Sequence, residues 1–365
     1  MEFNGTLEVN NLPSHLFLLL QNNERISVKN FLNSKAYDQR NVTGIINSKG
    51  KKYILKMKFP FILRNLDYVR LYSLMLAEGS KRTEFRLNVP EKELHSIFKE
   101  SLIKLFPNAN ISKLLSIGKS HGIPRSNAPS ILRFLIPIPD EIPNFIKRNE
   151  EFSKEFLKIF FEAEGTVVKN RIKLTQSISI GIRTIDLDFR RRRIFLGEIK
   201  KKDENLWKKI ISFQSQVLLD IQEMLKIHFG IDSIVKPESL RINKTERRGK
   251  VTLKWVITIT SKNINKFANE IGLLSNPKVE KLNNLVKVEK RNPKFFALEI
   301  MSKLEKRKNY FTFNEFIDTM KNHGYVYASV YLWRFQRSGI IKKISRGKYK
   351  IVNHLGTSSA LKTSK

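Results

Sequence analysis

Two glutamates, each followed by a glycine at the end of an apolar segment, are the residues whose type and setting best suit catalysis. Glu78 is the next-to-last residue of the segment 71–79, and Glu164 is the next-to-last residue of the segment 157–165. The spacing of their apolar residues predicts two helices, so each carboxylate stands at a helix C-terminus, where the dipole adds negative potential. If the helices meet, the pair suits Mg²⁺, which takes few carboxylates and keeps water and phosphate oxygens as its other ligands. Such a cation activates water for the hydrolysis of a phosphodiester.

The alternative is that Glu78 and Glu164 are surface carboxylates at the ends of two helices, each capped by the following glycine. A single Glu-Gly pair at a helix end favours this alternative. Two such pairs, each followed by a predicted strand in a repeated pattern, favour the metal site.

The charge of the chain predicts a polyanionic partner. The 365 residues include 68 Lys+Arg and 34 Asp+Glu, which gives a formal net charge of +34. The positive charges of such a protein repel one another unless a polyanion neutralises them, so we expect the protein to bind nucleic acid. The absence of cysteine excludes thiol nucleophiles and thiolate metal sites, and no two histidines have a metal-binding helical spacing. These two facts argue against a zinc enzyme.

The same composition predicts a protein of the cytoplasm that associates with the nucleoid. A chain without cysteine has no need of an oxidising compartment. The apolar run 16–20 is too short to cross a bilayer and follows acidic rather than basic residues. We therefore expect no membrane partner.

The middle of the chain repeats one pattern of helices and strands, which indicates an internal duplication. The first copy has a helix ending at 79, a strand at 84–89, a helix at 91–106 and a strand-like run at 131–136. The second copy has a helix at 154–163 with Ser153 as its N-cap, a strand at 171–177, a helix at 207–229, a strand at 251–260 and a closing helix at 263–271. An insertion at 181–202 contains four consecutive arginines.

The two ends of the chain differ from this repeat. Residues 1–62 form an N-terminal segment of unknown role, with a helix predicted near 12–21, a turn at 47–50 and a strand at 52–59. Residues 276–292 have the composition of a linker, and residues 353–365 that of a disordered tail. Between them, the region 293–352 has three helical patterns followed by two short strands around Ser345-Arg346-Gly347, which is the order of a winged helix.

The segments 71–79 and 157–165 resemble the signature helices of the LAGLIDADG family, the homing endonucleases of introns and inteins. The segments 142–146 and 263–272 are also similar to parts of that family, and the resemblance covers about residues 62–275. It implies an α+β fold: a duplicated αββαββα saddle with repeats at 63–150 and 151–275, here followed by a C-terminal winged helix-turn-helix. It also implies a monomer with internal pseudo-twofold symmetry that binds double-stranded DNA.

The resemblance implies that Glu78 and Glu164 bind Mg²⁺ or another divalent cation and are catalytic. Basic residues near the metals assist catalysis in the family, at positions that vary. Lys81, Lys169 and Lys262 are the candidates here. The chain departs from the family at Ile159, where glycine is usual, and this departure predicts a looser pair of signature helices.

Alternation along the strands predicts which side chains face DNA. Phe85, Leu87, Ile172 and Leu174 are expected to cover the core, and the residues between them to point into the major groove. The aromatic residues Tyr327, Tyr331, Trp333 and Phe335 are expected in the core of the C-terminal domain. The predicted DNA contacts are Arg86, Asn88, Arg171, Lys173 and Thr175 on strands, Arg190, Arg191, Arg192 and Arg193 as a phosphate clamp, and Arg334, Arg337 and Arg346 in the C-terminal domain.

Three functions agree with these features. The first is a site-specific, metal-dependent endonuclease of the homing type, favoured by the presence of both acidic residues. The second is a non-catalytic regulator of transcription on the same saddle, similar to WhiA-type regulators, favoured by the added winged helix and by Ile159. The third is an RNA maturase, which uses the same saddle on structured RNA.

Overall fold

The computed structural model describes residues 2–34, 37–46, 54–80, 84–107, 115–168, 171–180, 193–243, 250–287, 293–323, 325 and 328–352. They belong to two compact units, residues 1–285 and 286–365. Several predicted features lie outside the described residues: the turn at 47–50, the tail at 353–365, Lys81, Lys169, Arg190, Arg191, Arg192 and Tyr327. Among the described residues, no helix has the length and apolar character needed to cross a membrane.

The N-terminal segment is mostly β-structure. Its helix α1 is Val28–Asn33, and its strands are β1 Thr6–Leu7, β2 Phe17–Leu20, β3 Arg25–Ser27, β4 Val42–Ile46, β5 Ile54–Lys56 and β6 Phe61–Ile62. Strands β3, β2, β4 and β5 form one antiparallel sheet in that order, and β1 pairs with β6. The predicted helix at 12–21 is wrong, because Leu18 and Leu20 are buried alternately in β2, which pairs on both sides. A short apolar run does not by itself distinguish helix from strand.

A long helix opens the next part of the chain. Helix α2 is Leu66–Ala77, and Asn65 caps its start by accepting a hydrogen bond from the Tyr68 amide at 2.9 Å. Strands β7 Gly79–Ser80, β8 Phe85–Asn88, β9 Ser116–Ser120 and β10 Ile123–Ala128 follow, with helix α3 Lys92–Leu105 after β8. They form an antiparallel sheet in the order β7-β8-β10-β9.

Residues 131–136 contain a short helix, α4 Leu132–Leu135, where a strand was predicted. Ile131, Leu132, Leu135 and Ile136 are buried, and their spacing places them on one helical face. The strand prediction is therefore wrong, since the period of the buried residues is that of a helix.

A second long helix, α6 Glu150–Glu164, follows the short helix α5 Asn144–Lys147 and packs against α2. Its N-cap is Asn149, which accepts from the Phe152 amide at 2.9 Å. The predicted cap Ser153 lies inside the helix, where its hydroxyl donates to the Ile146 carbonyl at 2.9 Å. Ile159 is fully buried, and the two helices pack directly despite the absence of glycine there.

A five-stranded antiparallel sheet follows α6. Its strands are β11 Gly165–Val168, β12 Arg171–Ile180, β13 Arg193–Phe195, β14 Ser233–Asn243 and β15 Lys250–Thr260, in the order β11-β12-β15-β14-β13. The helices of this part are α7 Leu196–Lys202, α8 Glu204–Ile211, α9 Gln216–Phe229 and α10 Ile264–Glu270. The single helix predicted at 207–229 is two helices, because Ser215 caps a new helix by accepting from the Leu218 amide.

Residues 276–287, part of the predicted linker, form helix α11 Asn276–Lys287. Pro277 is compatible with this helix because it lies in the first turn, where proline is tolerated since that turn's amides have no partner inside the helix. Leu282 of this helix is buried.

Three helices and a small antiparallel sheet lie within the described residues of the C-terminal unit. The helices are α12 Pro293–Lys308, α13 Phe313–Asn322 and α14 Ala328–Arg337, and the strands β16 Phe311–Thr312, β17 Ile341–Ser345 and β18 Lys348–Ile351 pair in the order β16-β18-β17. Thr312 and Glu315 form a capping box at α13. Phe335 is buried as expected, but Trp333 is 57% exposed, so its assignment to the core is wrong.

Candidate catalytic site and nucleic-acid interface

Glu78 and Glu164 lie at the ends of the two packed helices. Glu78 is the C-cap residue of α2, and its amide donates to the Leu74 carbonyl at 3.0 Å. Glu164 is the last residue of α6. The chain then turns directly into a strand through Gly79 or Gly165, where an added Cβ would collide with the backbone of Met75 or Phe161. Glycine is needed at both turns because the chain passes so close to the preceding helix.

The pKa values of both carboxylates are raised, and the charge of Glu78 acts on Glu164. Burial and then the charge of Glu78 raise the pKa of Glu164 to about 7, while Lys278 opposes this shift. Burial and then the charge of Glu91 raise the pKa of Glu78, and the charge of Lys278 opposes this shift as well. An anionic cluster of this kind favours a bound cation, because like charges in a partly desolvated site are hard to ionise together.

Lys278 of α11 lies among these acidic residues. Its Nζ is 3.2 Å from Glu91 Oε1 and 3.8 Å from Glu162 Oε1, and it donates a hydrogen bond to the Glu162 carbonyl. The start of α11 is therefore held beside the end of α6.

Glu162 holds the same segment from inside the protein. Its carboxylate is fully buried and accepts from the Leu274 amide at 2.7 Å and from Ser275 Oγ at 2.5 Å. A buried carboxylate is stable only when hydrogen bonds or opposite charges satisfy it, and here the segment 274–278 provides both. Glu162 thus fixes the position of Lys278 relative to Glu164.

Sequence reasoning missed Glu91 and Lys278. Glu91 was only the start of a predicted helix, and Lys278 fell in the predicted linker. No spacing rule connects either residue to Glu78 or Glu164, since the cluster depends on the packing of four helices. Lys262, the described basic candidate, is exposed in the 3-10 helix Ser261–Asn263. The lysine whose charge does act on this pair is Lys278, which lowers the pKa of both Glu78 and Glu164.

The donor set agrees with a hard divalent cation. Among the described residues, no group of three or more His, Cys, Asp or Glu side chains is arranged to hold a metal. Glu78 and Glu164 provide two carboxylates, which is the number that Mg²⁺ commonly takes from a protein.

The strands beside the site have one buried face and one open face. Phe85, Leu87, Ile172 and Leu174 are at most 1% exposed, which confirms the predicted alternation. The residues on the open face are Arg86, Asn88, Arg171, Lys173 and Thr175, and each is at least partly exposed.

A shallow cavity of about 230 Å³ lies on the open face of the five-stranded sheet. Its lining includes Arg171, Lys236, Ile234, Thr258 and Thr260, so two cations and an exposed apolar side chain surround it. Such a surface offers both charged donors and an apolar contact to a ligand.

The C-terminal unit has its own exposed basic surface. Arg334, Arg337 and Arg346 are exposed on α14 and on the turn between β17 and β18. The Arg337 guanidinium lies over the Trp333 ring, 5.2 Å from its centre. Of the predicted clamp, Arg193 is the first residue of β13.

Helix α6 and the five-stranded sheet that follows it match a known family of domains. Residues 151–272 match the LAGLIDADG-like domain. The LAGLIDADG-like domain thus includes Glu164, all of β11 to β15 and α7 to α10. Glu78, Glu91 and Lys278 lie outside the matched residues and complete the cluster from neighbouring segments.

Comparison with solved structures found further similarities. The structure of I-DmoI in complex with DNA and Mn is 14% identical, covers 57% of this chain and 98% of that chain, and gives a TM-score of 0.33. The N-terminal LAGLIDADG domain of DUF199/WhiA is 15% identical, covers 60% of this chain and 88% of that chain, with a TM-score of 0.31. The structure of I-WcaI bound to its DNA recognition sequence is 14% identical, covers 60% of this chain and 85% of that chain, and gives a TM-score of 0.32. The comparison with curated proteins found no match.

Proposed function

We propose that the protein is a site-specific endonuclease that hydrolyses phosphodiesters of double-stranded DNA with Mg²⁺ or another divalent cation. The observation that carries the proposal is the pair Glu78 and Glu164 at the ends of two packed helices, each with a raised pKa. The pKa of Glu164 is raised in part by the charge of Glu78, so the two groups share one electrostatic site. The match to a LAGLIDADG-like domain over residues 151–272 supports the same function.

Each residue of the cluster has a part in this function. A divalent cation held by Glu78 and Glu164 would activate water and stabilise the leaving oxygen of the sugar-phosphate backbone. Glu162 positions Lys278 by holding the start of α11 against α6. Lys278 limits the repulsion among the carboxylates, as its lowering effect on both pKa values indicates.

DNA is the expected substrate because of the surfaces beside the site. The open strand faces with Arg86, Asn88, Arg171, Lys173 and Thr175 would contact bases and phosphates of the major groove. We further propose that the C-terminal unit is a winged helix that adds contacts through Arg334, Arg337 and Arg346. We also propose that the protein is a monomer with internal pseudo-twofold symmetry and that it associates with the nucleoid in the cytoplasm. Its role would be in intron or intein homing.

A non-catalytic DNA-binding regulator is the second candidate. The observation that favours it is Lys278, because an ammonium placed beside the carboxylates can neutralise them without a metal. A regulator would keep the basic strand faces and have no use for a metal site. An RNA maturase is the third candidate, because the same basic faces would accept structured RNA.

Cleavage of a plasmid library with Mg²⁺ separates these candidates. We expect the wild type to cut specific sites, and Glu164→Gln and Glu78→Gln each to abolish cleavage of at least one strand while binding in EDTA survives. Glu223→Gln, an exposed residue of α9, is the matched control and should cut like the wild type. No cleavage by the wild type, with specific binding intact, supports the regulator. Cleavage that persists in the double glutamine variant contradicts the assignment of both glutamates.

A further inference from the structure

Glu238 is an acidic residue in an otherwise basic sheet face, and the backbone sets its direction. Strands β14 and β15 pair antiparallel, but their register shifts between Pro237 and Ser239, so Glu238 is the extra residue of a β-bulge. A bulge redirects the side chain of its extra residue and is frequent beside functional sites. Ser239 and Leu240 after it are buried, whereas Glu238 stays partly exposed.

Two lysines from neighbouring strands hold the Glu238 carboxylate. Lys173 of β12 donates to Oε1 at 3.4 Å, and Lys254 of β15 lies 3.2 Å from Oε2. Partial burial opposes ionisation of Glu238, but hydrogen bonds from Lys254 and Lys173 outweigh it, and the pKa of Glu238 is lowered. The carboxylate is thus an anion at neutral pH with a defined position across three adjacent strands.

The lysines establish that this group lies on the open face. Lys173 is between the buried residues Ile172 and Leu174, and Lys254 is between the buried residues Leu253 and Trp255. Since strand residues alternate, both lysines point away from the core. Glu238 contacts both, so it lies on the same face as Arg171.

The Glu238 carboxylate cannot bind DNA phosphates, because it repels them. It can instead accept a hydrogen bond from a donor on the edge of a base. In the major groove, cytosine presents its N4 amino group as a donor, and the paired guanine presents O6 and N7 as acceptors. A carboxylate beside an ammonium has the complementary pattern, because the carboxylate accepts and the ammonium donates.

We propose that Glu238 is a specificity-determining residue that recognises one C·G base pair, an inference that rests on the proposed DNA binding of this sheet. Its carboxylate accepts from cytosine N4, while Lys173 or Lys254 donates to O6 or N7 of the guanine. In the free protein the two lysines hold the carboxylate ready, which lowers the conformational cost of recognition. Glu238 thereby adds sequence preference to a face whose other charges attract any duplex.

The test is selection of bound duplexes from a randomised library in EDTA, with the wild type, Glu238→Gln and Asp232→Asn. Asp232 is the matched control, because it is an exposed carboxylate in an ion pair with Lys226 of α9 and precedes β14 rather than lying within the sheet. Both variants remove one negative charge. We expect Glu238→Gln to lose about tenfold preference at one C·G position of the selected site, and Asp232→Asn to select the wild-type site.

The outcomes separate this inference from the proposed function. If the wild type selects no sequence at all, the proposed function fails. If it selects a site and Glu238→Gln selects the same site at every position, the role of Glu238 is wrong and the proposed function stands. A lost preference that falls only on A·T positions also contradicts the C·G assignment. Glu238→Asp, which keeps the charge on a shorter side chain, should lose the same preference and replaces the glutamine variant if that one unfolds.

Discussion

The Nζ of Lys278 lies 3.2 Å from Oε1 of Glu91, and the ion pair connects two helices that are far apart in the chain. Glu91 is the N-cap residue of α3, and Lys278 is in the first turn of α11. Both side chains are largely buried, with 16% and 18% exposure. The charge of Lys278 also lowers the pKa of Glu78 and the pKa of Glu164, so this pair belongs to the electrostatic surroundings of both glutamates.

Lys278→Met should destabilise the protein by about 3 kcal/mol, because it leaves Glu91 and Glu162 without their cation in a largely buried place. Equilibrium unfolding in urea measures the change. Lys262→Met, at an exposed position, is the control and should change the free energy of unfolding by less than about 0.5 kcal/mol. Equal effects of the two substitutions would show that Lys278 is not part of a buried cluster.

Stability without metal should decrease as the pH rises. The pKa of Glu164 is raised to about 7 in the folded protein from its ordinary value of 4.5, so the folded state binds the proton more tightly than the unfolded state. The resulting stabilisation is fully present below the unfolded pKa and is lost as the pH rises through the folded value. Urea unfolding in EDTA at several pH values measures the loss between these two pKa values.

Glu164→Gln should remove most of that pH dependence, since glutamine does not titrate. Divalent cations should bind more tightly as the pH rises through about 7, because binding displaces the proton from Glu164. Isothermal titration with Mn²⁺ on either side of that pH measures this shift. A pH profile of stability that is identical in the wild type and Glu164→Gln would contradict the raised pKa.

DNA binding should depend steeply on salt, because many lysines and arginines displace counterions from the duplex. With a net charge of +34, we expect affinity to fall roughly a thousandfold between about 50 and about 200 mM salt. Fluorescence anisotropy in EDTA over this range gives the slope of log affinity against log salt. A flat dependence would exclude phosphate contacts as the main source of affinity.

Deletion of residues 292–365 should leave a folded protein that binds DNA more weakly and retains residual metal-dependent nicking. The structure separates residues 1–285 from 286–365 as compact units, so the first keeps its own core when the second is removed. Circular dichroism and a nicking assay check both expectations. Unfolding of the truncated protein would show that the units depend on each other.

Trp333→Ala should weaken DNA binding at little cost in stability, because Trp333 is 57% exposed and lies beneath Arg337. Phe335→Ala is the contrasting change in the same helix. Phe335 is buried, so its truncation should cost about 3–5 kcal/mol. Thermal unfolding and DNA affinity of the two variants distinguish a surface contact from a core contact. A large loss of stability in Trp333→Ala would contradict the exposed position.

The sequence by itself determined the features that depend on local pattern. Helical spacing and terminal glycines predicted that Glu78 and Glu164 end two helices, and strand alternation predicted burial of Leu87 and Leu174. These features need only neighbours in the chain, so composition and periodicity are sufficient to find them.

Local pattern failed where tertiary contacts decide the conformation. The apolar residues Phe17–Leu20 form a strand because two other strands pair with them, and Pro277 lies in the first turn of a helix rather than in a linker. The surroundings of Glu164 were also beyond the sequence, because Lys278 reaches it only through the fold. Charges distant in the chain set the pKa of a carboxylate by their distance in space, and the packing of α2, α3, α6 and α11 alone determines that distance.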